Sequence, residues 1–405
     1  MVVNANQILC EFGVGRHGLC LLVLVAVSLV GCTDEPGAST SDDSTSSTPT
    51  TSTDGTAGAD GTAGTETAGM DETAGTGELP SNGLDPDHFL AAGLAGPITE
   101  VDCTLSNGQQ TTCYSIPITG APADHDVGPF CPPTIDDGPE AGGVWVESGD
   151  VFDVDGDFIV GLAEFYDDPT WLLYDPETGE VRVTETEEAC AAAAQPDVPD
   201  EYNNYCVECS MDYVDGGVVQ DMIIPAQPVP VDSPGNIGVS GVGVALNGVN
   251  IAPPAPVDDI LGNYTIAAFD DCGGHVNLAV GYHYHAAIGC PEQIEQDDGH
   301  APLIGYAFDG YGIYAMVGAD GVEEDDLDEC RGQTDDVRGY HYHAASAGEN
   351  MFIGCFHGAT VDDGGGGGGG MDVIDCDDAA PGQPCCGDDI CDGPETADNC
   401  AVDCG

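Results

Sequence analysis

The sequence predicts a mainly β protein: duplicated, disulfide-braced β units with long loops and few short helices. Three observations carry this. The stretch Gly142–Thr186 is made of short β-rich runs broken by Gly, Asp and Pro, the punctuation of strands and turns. The seven residues "GYHYHAA" occur at 281–287 and return, letter for letter, at 339–345. Cysteines stand in matching places around both copies, as bridges do in an oxidising compartment.

The chain divides by composition. Arg16 precedes an apolar run from Leu19 to Val30 that ends in Gly31-Cys32, so residues 1–32 read as a signal peptide with a lipobox. Cys32 is then the lipidated residue; an ordinary signal cleaved nearby is the alternative. The expected location is outside the cytoplasm, lipid-anchored to the cell envelope or cell surface, with the membrane as partner through the N-terminal lipid. Residues 33–83 are Ser, Thr, Gly, Ala and acids with little to bury, a disordered tether reaching roughly 40 Å. Residues 84–240 form an N-terminal β-rich part, 241–360 a duplicated unit, 361–375 a Gly-rich linker and 376–405 a Cys-rich acidic module. In that last module six cysteines must replace a hydrophobic core. Its Asp388, Asp389, Asp392, Glu395, Asp398 and Asp403 are candidates to hold Ca²⁺; a solvated acidic knot without metal is the alternative.

Within 84–240, "EEACAAAA" (Glu187–Ala194) is the convincing helix and "DPETGE" a hairpin turn. "DVDGDFIVGLAE" (Asp153–Glu164) spaces its acids as a calcium-binding EF-hand loop does. Phe158 stands where that loop needs glycine, so a β-turn is expected instead. "CVEC" (Cys206–Cys209) has the spacing of a redox dithiol but lacks a βαβ setting, and is expected to be structural.

The two strips belong to a longer duplication. "GVALNGVNI" (Gly243–Ile251) matches "GYAFDGYGI" (Gly305–Ile313), and "DDCGGH" (Asp270–His275) matches "DECRGQ" (Asp328–Gln333). Each strip is followed by Ile-Gly-Cys, ending at Cys290 and Cys355, with seven extra residues in the second copy. Bridges Cys272–Cys290 and Cys330–Cys355 are expected to clasp the strips, although spacing alone leaves the connectivity open. Asn247-Gly248 and Asp309-Gly310 read as type I′ hairpin turns, so both are architectural.

Alternate side chains of a strand share a face, so His283 and His285 point one way and Tyr282 and Tyr284 the other. His341 and His343 repeat the arrangement. Two such strands brought face to face would present four imidazoles at one locus. Neutral imidazole is a common ligand for transition metals, with copper the first expectation and zinc the next. His275, His300 and His357 are candidates to complete the shell, and His300 is also a candidate general base. The competing reading is a structural aromatic–imidazole cluster in a non-catalytic surface module whose partner is a glycan or protein. A metal-dependent oxidase or hydrolase is the third. Whether there is an activity stays open; no Ser/His/Asp order, phosphate loop or nucleotide fingerprint occurs. With 73 acidic residues against four arginines and no lysine, the field repels nucleic acid and attracts cations. A saline habitat would explain the same charge.

The segments "SGVGVALNGVNIAPPAP", "AAFDDCGGHVN", "GYHYHA", "DGHAPLIGYAFDGYGIYA", "LDECRG" and "IGCFHG" together resemble the YHYH domain family of exported bacterial proteins. "DPTWLLYDPETGEVRVT" and "YNNYCVEC" resemble the leader region of longer members, so the likeness runs from about Cys103 to Gly358. Members usually carry histidine where this chain has Gln333, which leaves His275 without a twin. The resemblance implies a domain type and no activity. The tail resembles short acidic Cys-rich modules of secreted bacterial proteins.

Overall fold

The structure, a computed structural model, describes residues 83–195, 198–238, 241–290 and 292–362. The signal segment with Cys32, the tether, nearly all of the Gly-rich linker and the acidic module with Asp388, Asp392, Glu395 and Asp398 lie outside the described residues. No helix among the described residues is long and apolar enough to cross a membrane.

The chain is mainly β, as its sequence predicts. The first layer is a three-stranded antiparallel sheet of β1 (Thr99–Thr104), β2 (Gln110–Ile118) and β5 (Gln220–Pro225), with β2 in the centre. Ile116 and Ile118, two apart on β2, face the main core, whereas Cys113 on the other face packs with Leu105, Ala359 and Val361. A Cys103–Cys113 disulfide clasps β1 to β2. Next come the hairpin β3 (Val144–Glu147) and β4 (Asp150–Asp153) and two helices, α1 (Gly156–Phe165) and α2 (Glu187–Ala193).

Helix α1 overturns the β-turn expected there. The Asp155 side chain caps it by accepting the Phe158 N–H at 2.8 Å, and Ile159 and Leu162, one turn apart, are buried. The acids that suggested a calcium loop fall at the end of β4 (Asp153), at the helix cap (Asp155) and within α1 (Asp157 and Glu164). "CVEC" is not a dithiol: Cys206 is joined to Cys131 and Cys209 to Cys190, so each sulfur pins a different neighbouring segment.

Strand β6 (Pro230–Gly235) pairs with β15 (Phe356–Gly358), bringing the end of the duplicated unit back to its start. Between them lies an eight-stranded sheet: β7 (Gly243–Ala245), β8 (Asn250–Ile251), β9 (Gly274–Asn277), β10 (Gly281–Tyr284), β11 (Leu303–Ala307), β12 (Gly312–Tyr314), β13 (Gly332–Asp335) and β14 (Gly339–His343). The short helix α3 (Val257–Gly262) connects β8 to β9. The spatial order is β13-β14-β12-β11-β7-β8-β10-β9. Read from either edge, the order is the same unit, and the copies meet through the antiparallel pair β7–β11. In each copy the strip strand is antiparallel to the strand before it and parallel to the second strand of the leading hairpin.

The leading hairpins do not use type I′ turns. That type requires positive φ at both central residues, whereas only Gly248 (φ 82°) and Gly310 (φ 92°) have it. The loop is a three-residue one. The Gly248 N–H donates to Ala245 O and the Ala245 N–H to Val249 O, and Ala307, Gly310 and Tyr311 repeat this. A type I′ pair occurs instead at Ser148-Gly149 between β3 and β4, with φ 55° and 89°. Tyr282, Tyr284, Tyr342, Phe269, Phe308 and Trp145 are among the largest fully buried side chains. Each such aromatic stabilises the fold by roughly 1.5–3 kcal/mol relative to an exposed one. Three of the four strip tyrosines are therefore core, and Tyr340 is half-buried against it.

Candidate metal centres

Every tyrosine and histidine of the two strips has an assigned partner, and the assignments repeat. The first tyrosine of each strip donates its hydroxyl to the first Asp of the Cys-containing turn: Tyr282 to Asp270 at 2.8 Å and Tyr340 to Asp328 at 2.9 Å. The second tyrosine bonds the turn residue of the leading hairpin. Tyr284 receives the Asn247 amide at 2.8 Å, and Tyr342 donates to Asp309 at 2.5 Å. Asp309 is fully buried and also accepts the Gly358 N–H at 2.8 Å, so it is architectural as its sequence position predicts. Burial pushes its carboxyl up to about 6 despite these donors.

The histidines occupy the opposite face. His283 and His341 each place Nδ1 on the carbonyl of the glycine two residues earlier, Gly281 O at 3.1 Å and Gly339 O at 3.0 Å. Both glycines have positive φ, 77° and 67°, a conformation costly for other residues, which explains the G that opens each strip. His285 Nδ1 meets Pro253 O at 2.6 Å and His343 Nδ1 meets Ala315 O at 3.2 Å, corresponding residues of the loops after β8 and β12. A carbonyl only accepts, so these four Nδ1 atoms carry the proton and each Nε2 presents a lone pair.

The strips do not meet. Strands β10 and β14 are five strand positions apart in the sheet, about 24 Å at the usual inter-strand spacing. The single four-imidazole locus expected from sequence is therefore replaced by two separate clusters of three. In the first, His275 joins His283 and His285; in the second, His300 joins His341 and His343, and within each cluster the ligating atoms lie within 4.8 Å of one another. The two triangles nearly coincide in size: ring centroids are 4.7, 4.9 and 5.0 Å apart in the first and 4.8, 4.9 and 5.2 Å in the second. No fourth His, Cys, Asp or Glu joins either cluster among the described residues. Both can hold a metal ion.

The third histidine comes from different places. His275 sits on the edge strand β9, directly across the ladder from His283. The same register position in the second copy is Gln333, facing His341, and its amide is turned to Asp326 at 2.7 Å. His300, from the loop before β11, supplies the missing imidazole, its own Nδ1 lying 3.0 Å from Ala301 O. His357 joins neither cluster. It stacks on Tyr340 at 3.8 Å between ring centroids and lies edge-on to Tyr311, on the tyrosine side of β14.

Burial keeps five of the six rings neutral. Burial holds His283, His341 and His343 down to about 4 and His285 to about 3, and it holds His275 well below the usual imidazole range. Three atoms of the second cluster are then left in an unfavourable state. His343 Nε2 is buried without a partner. His300 Nε2 lies 3.0 Å from His341 Nε2 although both rings have Nδ1 on a carbonyl. Two lone pairs at that separation repel unless a proton or a metal ion lies between them, and burial opposes a proton on His341.

Sequence reasoning did not find the carbonyl partners of the strips, yet the signal was present: Pro253 and Ala315 follow Ile251 and Ile313 at equal distance in the two copies. It also passed over His125, whose ring packs edge-on to Tyr282 and whose neighbour Asp124 accepts from Asn247 at 2.9 Å. The cysteines flanking the strips pair within each copy, Cys272 with Cys290 and Cys330 with Cys355. With the other three disulfides they point to an extracytoplasmic protein.

No curated protein and no solved structure matches this chain. The family model described as YHYH protein matches residues 221–325, about a quarter of the chain. That span contains the first strip, His275 and His300, and it stops before the second strip. The segment that builds the first histidine triad and supplies the third histidine of the second is thus a YHYH domain.

Proposed function

We propose that the protein is an exported lipoprotein whose duplicated YHYH unit binds one transition-metal ion in each half, copper in preference to zinc. The observation that carries this is the state of the second triad. Its Nδ1 atoms are held by carbonyls, His343 Nε2 is buried and unpartnered, and two Nε2 atoms face each other at 3.0 Å. A buried unsatisfied nitrogen costs about 1–3 kcal/mol, so a purely structural cluster would be an expensive arrangement to hold. A metal ion satisfies these nitrogens together. Backbone carbonyls that fix the imidazole tautomer are the usual outer support of a metal-ligating histidine.

Three neutral nitrogens without thiolate or carboxylate favour Cu²⁺ over Zn²⁺ in the general affinity order, although three-histidine sets also serve zinc. The chain's net charge of −69 concentrates cations around both sites. The apolar run before Cys32 supports lipid attachment, which would hold the domain at the envelope. The alternative, a glycan- or protein-binding module with structural histidines, leaves the orphaned nitrogens without a role.

The test is metal content of the full chain, purified without a histidine tag and reconstituted with copper, then challenged with zinc. Two equivalents of tightly held copper are expected, resisting equimolar zinc. Retention of less than about a tenth of an equivalent, within the error of adventitious binding, would refute the proposal.

A further inference from the structure

The two triads differ in what faces them. All three histidines of the first line a cavity of about 260 Å³, together with Phe130, Val207, Ile260 and Val276. These walls come from the N-terminal part of the chain, from α3 and from β9. A neighbouring cavity is lined by His88, Tyr306, Tyr314 and Arg338 and by none of the second triad. His341 and His343 are 0% and 1% exposed, against 5% and 6% for His283 and His285.

We propose that the first triad is a ligand-accepting metal centre, whose cavity takes a small neutral, largely apolar molecule that reaches the metal through one nitrogen or oxygen atom. This rests on the metal-binding reading above. Three histidines leave a coordination position open, as in metal sites that exchange a ligand. An apolar cavity of about 150 Å³ holds a benzene, so this one accommodates about ten non-hydrogen atoms by proportion. A charged guest would be penalised by the apolar walls, and an anion further by the field of the chain. Glu208 also lines the cavity, with one carboxylate oxygen 3.2 Å from the Cys131 N–H. It offers a hydrogen-bonding group to the ligand's far end. The second triad, whose His341 and His343 are the less exposed pair, holds its ion without an exchangeable partner.

The experiment uses copper-loaded protein, its copper content measured first, and follows the copper electron paramagnetic resonance signal on addition of 4-methylpyridine or of azide. Full-length H300A/H341A/H343A retains the first site alone, and H275A/H283A/H285A the second alone. The signal of the first-site protein is expected to shift with 4-methylpyridine and to respond more weakly to azide; that of the second-site protein is expected to stay fixed. Ala194→Trp and Ile260→Trp, each enlarging a side chain that lines the cavity, should weaken 4-methylpyridine binding at least about tenfold with copper content unchanged. A first-site protein that holds its copper but ignores 4-methylpyridine, or prefers azide, would overturn the inference while leaving metal binding intact. Absence of copper from the triads would overturn both.

Discussion

The two halves of the eight-stranded sheet are copies that kept their frame and changed their contents. Both retain the glycine that opens the strip, the carbonyls that hold each Nδ1 and the tyrosine hydroxyls tied to turn residues. They differ in the third imidazole, which is His275 on an edge strand in one copy and His300 on a loop in the other, and in the residue beneath the second tyrosine, Asn247 against Asp309. Gln333 at the position corresponding to His275 does not end the second cluster, because an imidazole from a neighbouring loop, His300, completes the same triangle. What the duplication preserves is therefore a place for three nitrogens rather than a set of three residues.

The largest expected effect separates the copies outright. H283A/H285A should lose one copper equivalent and H341A/H343A the other, each leaving its twin filled, as read by metal content after reconstitution. Loss of both ions from either variant would mean a shared site and would break the comparison. A subtler exchange follows from the register. His275→Gln copies the second half's residue into the first, where Gly238 occupies the place corresponding to His300, so nothing replaces the lost ligand. Copper affinity of the first site should fall by more than about a hundredfold, or about 2.8 kcal/mol. Gln333→His, the reverse exchange, sets a fourth imidazole across from His341 and should tighten the second site on the order of tenfold. Competition with a chelator of known affinity measures both.

How far the sequence could be read differs between these features. Alternation within the strips placed all four strip histidines on one face per strand, because a strand's period is two whatever surrounds it. Convergence of the strips was not legible, since it depends on which edges of the copies pair. The β7–β11 pairing puts the strips toward opposite ends of the sheet. His275 and His300 were recognisable as candidates, but their division between two sites is a fact of topology. Helix α1 was obscured because its capping acids also fit a calcium-loop pattern, and one turn of burial at Ile159 and Leu162 is a weak periodic signal.

Stability should also tell the halves apart. Tyr342→Phe takes a donor from the buried Asp309 carboxyl and should cost about 2–3 kcal/mol, whereas Tyr284→Phe removes a neutral bond to Asn247 and should cost about 1 kcal/mol. Denaturant unfolding measures both, and equal costs would erase the distinction. The smallest difference lies in pH dependence of the metal-free protein. Folding lowers His283, His341 and His343 to about 4 and His285 to about 3, from an unfolded value of about 6.5. The unfolded chain then binds more protons in this window, so stability is full above about pH 6.5 and falls toward pH 4. Asp309, raised to about 6, acts with the opposite sign: its contribution is full below about pH 3.9 and is lost as pH rises to 6. The more numerous histidines set the net direction. Asp309→Asn, which copies the first half's neutral residue, should steepen the rise in stability between pH 4 and 6; a shallower rise would contradict the assignment.

The most direct measurement is an anomalous-difference map from crystals of copper-loaded protein. Two peaks are expected, one in each half of the sheet, each about 2.0–2.1 Å from three imidazole nitrogens: one within His275, His283 and His285, the other within His300, His341 and His343. Density for copper elsewhere with both triangles empty, or one ion bridging the two strips, would contradict it.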